Sequence, residues 1–157
     1  MLYAVLKAAH LLSVIAWVGG MFFMLACLRP SLGVLDGPQR PRLMGAVMAR
    51  FFAIVNVATL VVLLTGLWML WSAWRTAAGP GAVFTMPPSW HVMIVLGLVM
   101  MGLFGFVQGL FKRLRVALQA QDGALVAPLL ERIRKAVLAN LVMGIVIVVT
   151  MKLGAAL

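Results

Sequence analysis

Two histidines stand among side chains that would dissolve in oil. His10 lies in "KAAHLLSVIAWVGGMFFM", residues 7–24, and His91 in "PPSWHVMIVLG", residues 87–97, of a 157-residue chain. Neutral imidazole is a metal ligand and a proton carrier, and ionisable groups inside apolar segments usually mark function. The other soft donors are twelve methionines, of a type suited to Cu(I), and one cysteine, Cys27. The only acids are Asp36, Asp122 and Glu131, and none falls inside a long apolar run. Hydrolysis by a carboxylate pair and proton relay between intramembrane carboxylates are therefore not expected. There is no glycine-rich phosphate loop and no cysteine metal motif, and a single cysteine excludes an intrachain disulfide.

The elements that must position these groups follow from composition. The chain is 65% hydrophobic and 10% charged, against about 45–50% and about 25% in soluble domains. Four apolar runs, near 3–28, 45–73, 90–111 and 134–155, are long enough to cross a bilayer, which takes about 20 residues of helix. They lack the alternation of barrel strands, and only helices or closed barrels satisfy their backbone in lipid. The expected fold is all-α: one transmembrane domain, 1–157, an integral membrane four-helix bundle, antiparallel because its connections are short.

Charge sets the expected orientation. Of thirteen basic residues, ten flank two connections. Arg29, Arg40, Arg42 and Arg50 surround the first, and Lys112, Arg113, Arg115, Arg132, Arg134 and Lys135 surround the third. Basic loops stay in the cytoplasm, so 29–44 and 112–133 are expected inside, and both termini and 74–89 on the extracytoplasmic side of a bacterial inner (plasma) membrane. The net charge of +10 is thereby explained by anionic lipid headgroups rather than nucleic acid. Trp68, Trp71 and Trp74 would mark the outer headgroup level. "MLAC" at 24–27 has the form of a lipoprotein cleavage site, but the apolar stretch before it is too long and lacks a basic leader, so His10 is expected to remain in the chain.

Local signals set the expected ends. Pro30 and Gly33 should break the first helix, Pro41 should sit in the first turn of the second, and Ser89 should cap the third. The first part of 112–133 should prolong helix three, Gly123 should interrupt it, and Pro128 should begin the rise into helix four. Asn56, Thr59 and Asn140 are expected to hydrogen-bond between helices. Gly19, Gly20, Gly66 and Gly144, with Gly102, Gly105 and Gly109 on one face of helix three, allow close backbone approach, and Gly105 to Gly109 is a GxxxG spacing.

Helices one and three should run parallel, which brings both histidines to a similar depth near the outer face. At opposite ends, about 30 Å of hydrocarbon would separate them. His10, Trp17, Met21 and Met24 share one helical face, and His91, Leu98, Gly102 and Gly105 form the corresponding one. If these faces meet, two imidazoles approach one metal. The positive helix terminus favours neutral, ligating His91. Alternatively a histidine at this level bonds a carbonyl or headgroup, and Met21, Met24, Met86, Met93, Met100 and Met101 either line a path for copper or fill gaps in the core.

"AHLLSVIAWVGGMFF", "RFFAIVNVATLVVLLTGL" and "RKAVLANLVMGIVIVV" resemble the CopD-type copper-resistance membrane domain over nearly the whole chain. The sharper elements are His10, Trp17, Gly19–Gly20, Arg50–Phe51 and Thr65–Gly66. "KAAHLLSVIAW" is also similar to the HemJ family, four-helix haem b proteins that oxidise protoporphyrinogen. "SWHVM" stands where that family's "WLHxK" falls, with His91 at the histidine and Met93 at the lysine, a departure that bears on porphyrinogen oxidation but not on haem binding. The first resemblance implies copper transport, with His10 and His91 capturing the ion and Met21, Met24, Met93 and Met100 passing it on. The second implies a haem.

The favoured expectation is one b-type haem on His10 and His91, beside Trp17, Gly102 and Gly105. Two axial imidazoles leave iron no open position and suit electron transfer with a quinol or redox protein. Copper handling is the alternative, and a non-catalytic small subunit of a membrane complex is the third reading. Homo-oligomers through the GxxxG face are compatible with each.

Overall fold

The computed structural model of the chain describes residues 1–77 and 85–153. Every element among them is helical. Four helices are long and apolar enough to span a membrane: α1 Leu2–Val34, α2 Gln39–Ala77, α3 Pro88–Gln119 and α4 Gly123–Leu153. Residues 78–84 of the expected outer connection, and 154–155 of the expected fourth span, lie outside the described residues.

The helices overrun the expected spans at the basic end, so 29–44 and 112–133 are largely helical rather than loops. α1 is not broken at Pro30. Its Met24–Leu28 turn is π-helical, with Arg29 N–H bonded to Met24 O, and the chain stays helical to Val34. A wider turn just before proline absorbs the missing donor and the ring that would crowd the preceding turn. Pro41 does occupy the first turn of α2. α3 begins at Pro88, with Pro87 as its N-cap and no side-chain cap, so Ser89 is not the cap. α3 continues through the basic segment to Gln119, as expected. α4 starts at Gly123, which places Pro128 inside the helix rather than at its beginning. The turn between them needs a positive φ, 55°, at Gln121. Asp122 Oδ1 then accepts from Ala124 N and Leu125 N and closes the start of α4.

α1 packs chiefly on α2 and α3 chiefly on α4, with narrower seams joining α1 to α4 and α2 to α3. Pairs across the seams run in order: Tyr3 with Trp68, His10 with Thr65, and Gly20 with Phe51 between α1 and α2. Gln108 with Asn56 and Leu118 with Gly45 join α3 and α2, and Arg29 with Glu131 joins α1 and α4. In lipid the apolar effect does not drive helices together, so close approach and hydrogen bonds must. A Cβ built on Gly144 would lie 2.8 Å from Val18 Cγ2 and 3.3 Å from Met100 Cε, which shows how tightly α1, α3 and α4 converge there.

The core is an aromatic stack flanked by methionines. Trp17 meets Phe104 edge-on at 5.8 Å, and Phe52 meets Phe104 at 5.7 Å and Phe111 at 4.9 Å, the offset geometry that ring quadrupoles favour. Met21, Met24, Met48, Val55, Val107, Leu110, Leu114, Ile133 and Val137 complete it. The core is one-sided along the bundle. On the His10 side of Trp17 on α1, Thr65 on α2, Met100 on α3 and Gly144 on α4, no described residue is fully buried. Leu12, Ile15, Leu67, Val95 and Leu98 are all more than half exposed, as side chains in contact with lipid are.

Candidate functional site

His10 sits just beyond this core, toward the N-terminal end of α1. Seven residues before Trp17, it shares that residue's face of α1 and is half-buried. Its Nδ1 lies 2.9 Å from Thr65 Oγ1 on α2. The hydroxyl has one proton, and Thr65 donates it to the Val61 carbonyl one turn back. Thr65 Oγ1 therefore accepts from His10, and the neutral ring carries its proton on Nδ1. That leaves Nε2 with a free lone pair, the arrangement by which a ligating histidine is held by an outer partner. Gly66 borders the seat: a Cβ there would stand 3.4 Å from His10 Cε1, an ordinary contact distance, so the ring packs beside α2 at this turn.

His91 is placed differently. Its Nδ1 is 3.2 Å from the Pro87 carbonyl, which can only accept, so Nε2 is again the free nitrogen. The ring, however, is exposed. Nine residues, about two and a half helical turns, separate it from buried Met100, so the two point in opposite directions. Leu98, Gly102 and Gly105 are exposed on the outward side as well, and nothing lies within 4 Å of a Cβ built at either glycine or at Gly109. The faces expected to meet do not. The His10–Trp17–Met21–Met24 face meets Phe104, and the glycine face of α3 turns away, because large side chains rather than glycines fill the core. Helix-packing roles do hold for Gly20 and Gly144, whose built Cβ atoms would meet Phe51 and Val18.

The remaining candidates are mainly core residues. Met21, Met24 and Met100 are buried in the aromatic cluster, and Met93, Met86 and Met101 are half-buried. Among the described residues no three His, Cys, Asp or Glu side chains converge as a metal-ion cluster. Asn56 Oδ1 accepts from Gln108 Nε2 at 2.9 Å between α2 and α3, a partner that its position alone did not reveal. Trp17 Nε1, Thr59 Oγ1 and Asn140 Oδ1 are buried without a partner among the described residues. An indole N–H without a partner, about two turns along α1 from His10, is costly in an apolar interior. Trp71 and Trp74 are exposed at the same end, with the Arg75 guanidinium 4.8 Å above the Trp71 ring.

No family model, no curated protein and no solved structure matches the chain.

Proposed function

We propose that this chain is a multi-pass membrane protein of a bacterial inner membrane that holds one redox-active metal centre near its outer face on His10, favoured as a b-type haem for electron transfer. The observation that carries the reading is the His10–Thr65 hydrogen bond, which commits Nδ1 and leaves Nε2 free to ligate. The outer half of the bundle, without a fully buried described residue over the 15 residues Leu2–Ala16 of α1 and about 22 Å of its axis, supports a group of macrocycle size there. Haem, when bound, would supply a one-electron couple. The chain's own residues do the rest: His10 binds, Thr65 fixes its tautomer, Gly66 leaves room beside the ring, and Trp17 offers an N–H. His91 faces away from this seat, so the reading rests on His10 as the chain's own imidazole ligand. The partner would be a quinol or a second redox protein in the same bilayer.

The orientation belongs to the same proposal. Seam pairs whose numbers rise on one helix as they fall on its neighbour support an antiparallel bundle, and the basic residues at the end remote from His10 support extracytoplasmic termini. An absorption spectrum of the detergent-extracted protein, before and after dithionite, tests the centre. A Soret band lost in His10→Ala is expected, and no Soret band even after haem addition refutes it.

Copper handling is the second reading. It is favoured by Met21 and Met24, soft donors buried on the same α1 face as His10. Its test is cellular copper accumulation in His10→Ala and Met24→Leu, and unchanged accumulation in both removes it.

A further inference from the structure

At the end of the bundle far from His10, all four helices border one cavity of about 940 Å³. Its floor is apolar, with Met24, Met48, Ile133 and Val137 nearly or fully buried. Its rim carries four arginines, Arg29, Arg40, Arg42 and Arg134. Only one carboxylate answers them: Glu131 bonds Arg29 at 3.3 Å and Arg134 at 3.1 Å. Asp122 is engaged with the amides of α4. Arg40 is held in place by uncharged acceptors, Leu35 O at 2.8 Å and Gly33 O at 3.1 Å, which orient the guanidinium without neutralising it. Arg42 has no ion pair among the described residues. The π-helical turn of α1, a feature that gathers at functional sites, forms one wall through Met24 and Leu25.

An apolar chamber with a surplus of guanidinium at its mouth, at the headgroup end of membrane-crossing helices, recognises an amphiphile with an anionic head. Arginine forks suit phosphate oxygens in pairs. Basic pockets between transmembrane helices select anionic headgroups in this way. We propose that this cavity is a binding site for an anionic glycerophospholipid, with the phosphodiester at Arg40 and Arg42 and an acyl chain on the Met24–Met48 floor. The site is independent of the His10 centre and rests only on the helices lying in a bilayer.

The test is native mass spectrometry of the full chain, without added metal or haem, released from micelles doped with phosphatidylglycerol or with phosphatidylcholine of the same acyl chains. One retained phosphatidylglycerol per chain is expected, favoured over phosphatidylcholine by roughly tenfold. Arg40→Gln with Arg42→Gln should abolish that preference. Ala127→Trp, which fills the cavity from its lining and leaves every charge in place, should abolish retention while circular dichroism and the melting temperature stay those of the parent. Equal retention of the two lipids overturns the proposal. So does retention by Ala127→Trp, which would mean surface charge alone, or displacement of the lipid by inorganic phosphate at millimolar concentration, which would mean a headgroup site without a chain.

Discussion

Thr65→Val tests the tautomer argument directly. The substitution keeps the branched shape and removes the oxygen 2.9 Å from His10 Nδ1. Two losses follow. Nδ1–H loses its side-chain acceptor in a half-buried seat, with the Val62 carbonyl the acceptor that remains beside the ring, and the cost is at most about 1–3 kcal/mol. The ring is also free to place its proton on Nε2, the nitrogen needed for ligation. Outer partners of ligating histidines are typically worth 10–100-fold in affinity, or about 1.4–2.8 kcal/mol. Haem titrated into the extracted protein and followed at the Soret band should therefore bind Thr65→Val at least about tenfold more weakly than the parent. Thr65→Ser, which keeps the acceptor, should recover most of the loss. The α2 backbone is not at risk, because Thr65 only returns its proton to Val61 within the same helix. Binding within twofold of the parent in Thr65→Val, with none in His10→Ala, would refute the tautomer reasoning and leave the ligand standing. Parent-like binding in His10→Ala would refute both.

Three further outcomes are expected. His91→Ala should leave the haem spectrum and its pyridine-displaced form unchanged, since that ring faces outward; loss of a low-spin spectrum would place His91 on the iron. Gly144→Ala should lower the melting temperature in detergent, at a cost of about 1–3 kcal/mol for overpacking, because its Cβ would meet Val18, whereas Gly102→Ala, with nothing within 4 Å, should be neutral. A double-mutant cycle on Asn56→Ala and Gln108→Ala should return a coupling of about 0.6 kcal/mol, the usual worth of an interhelical bond in a membrane protein; zero coupling would mean that lipid-exposed water or headgroups satisfy both amides.

The number of spans was legible because each exceeds any reasonable soluble core helix in apolar length. Their ends were not, since Arg29 to Val34 and Lys112 to Gln119 are amphipathic and continue the helix past the apolar run. Pro30 reads as a break by its chemistry, yet one wider turn accommodates it, a choice that depends on the Met24 carbonyl finding Arg29. The inward face of α1 was readable from His10, Trp17, Met21 and Met24, because their spacing is helical and Ala16 and Gly19 separate them from the lipid side. α3 offered no such contrast. Leu98 and Val99 are as apolar as Met100 and Phe104, and lipid is as apolar a neighbour as a core, so hydropathy could not tell which side was buried. Glycine spacing marked a face that the single chain leaves exposed, not the one buried in the bundle. Thr65 as partner of His10 lies 55 residues away and carries no periodic signal; the Thr65–Gly66 pair was visible only as part of a family resemblance.

The uneven core leads to the last prediction. From Trp17 toward the basic end, aromatic rings and methionines lock the helices, and at Gly144 the Val18 side chain stands too close to admit one more carbon. Outward of it, α1 is held to α2 by His10–Thr65 and by the tilted pair Tyr3–Trp68 at 6.3 Å. A ligand that binds only the folded state stabilises it by mass action, about 2.7 kcal/mol at a hundredfold excess over its Kd. If the outer half is completed by a bound macrocycle, haem should raise the melting temperature and slow hydrogen exchange in residues 2–16 and 66–77, while residues near Phe104 and Phe111 change little. His10→Ala should lose both effects. Stabilisation spread evenly over all four helices, or preserved in His10→Ala, would mean that the added group is dissolved in the micelle and held by no site, and the one-sided core would then be a property of lipid-facing helices alone.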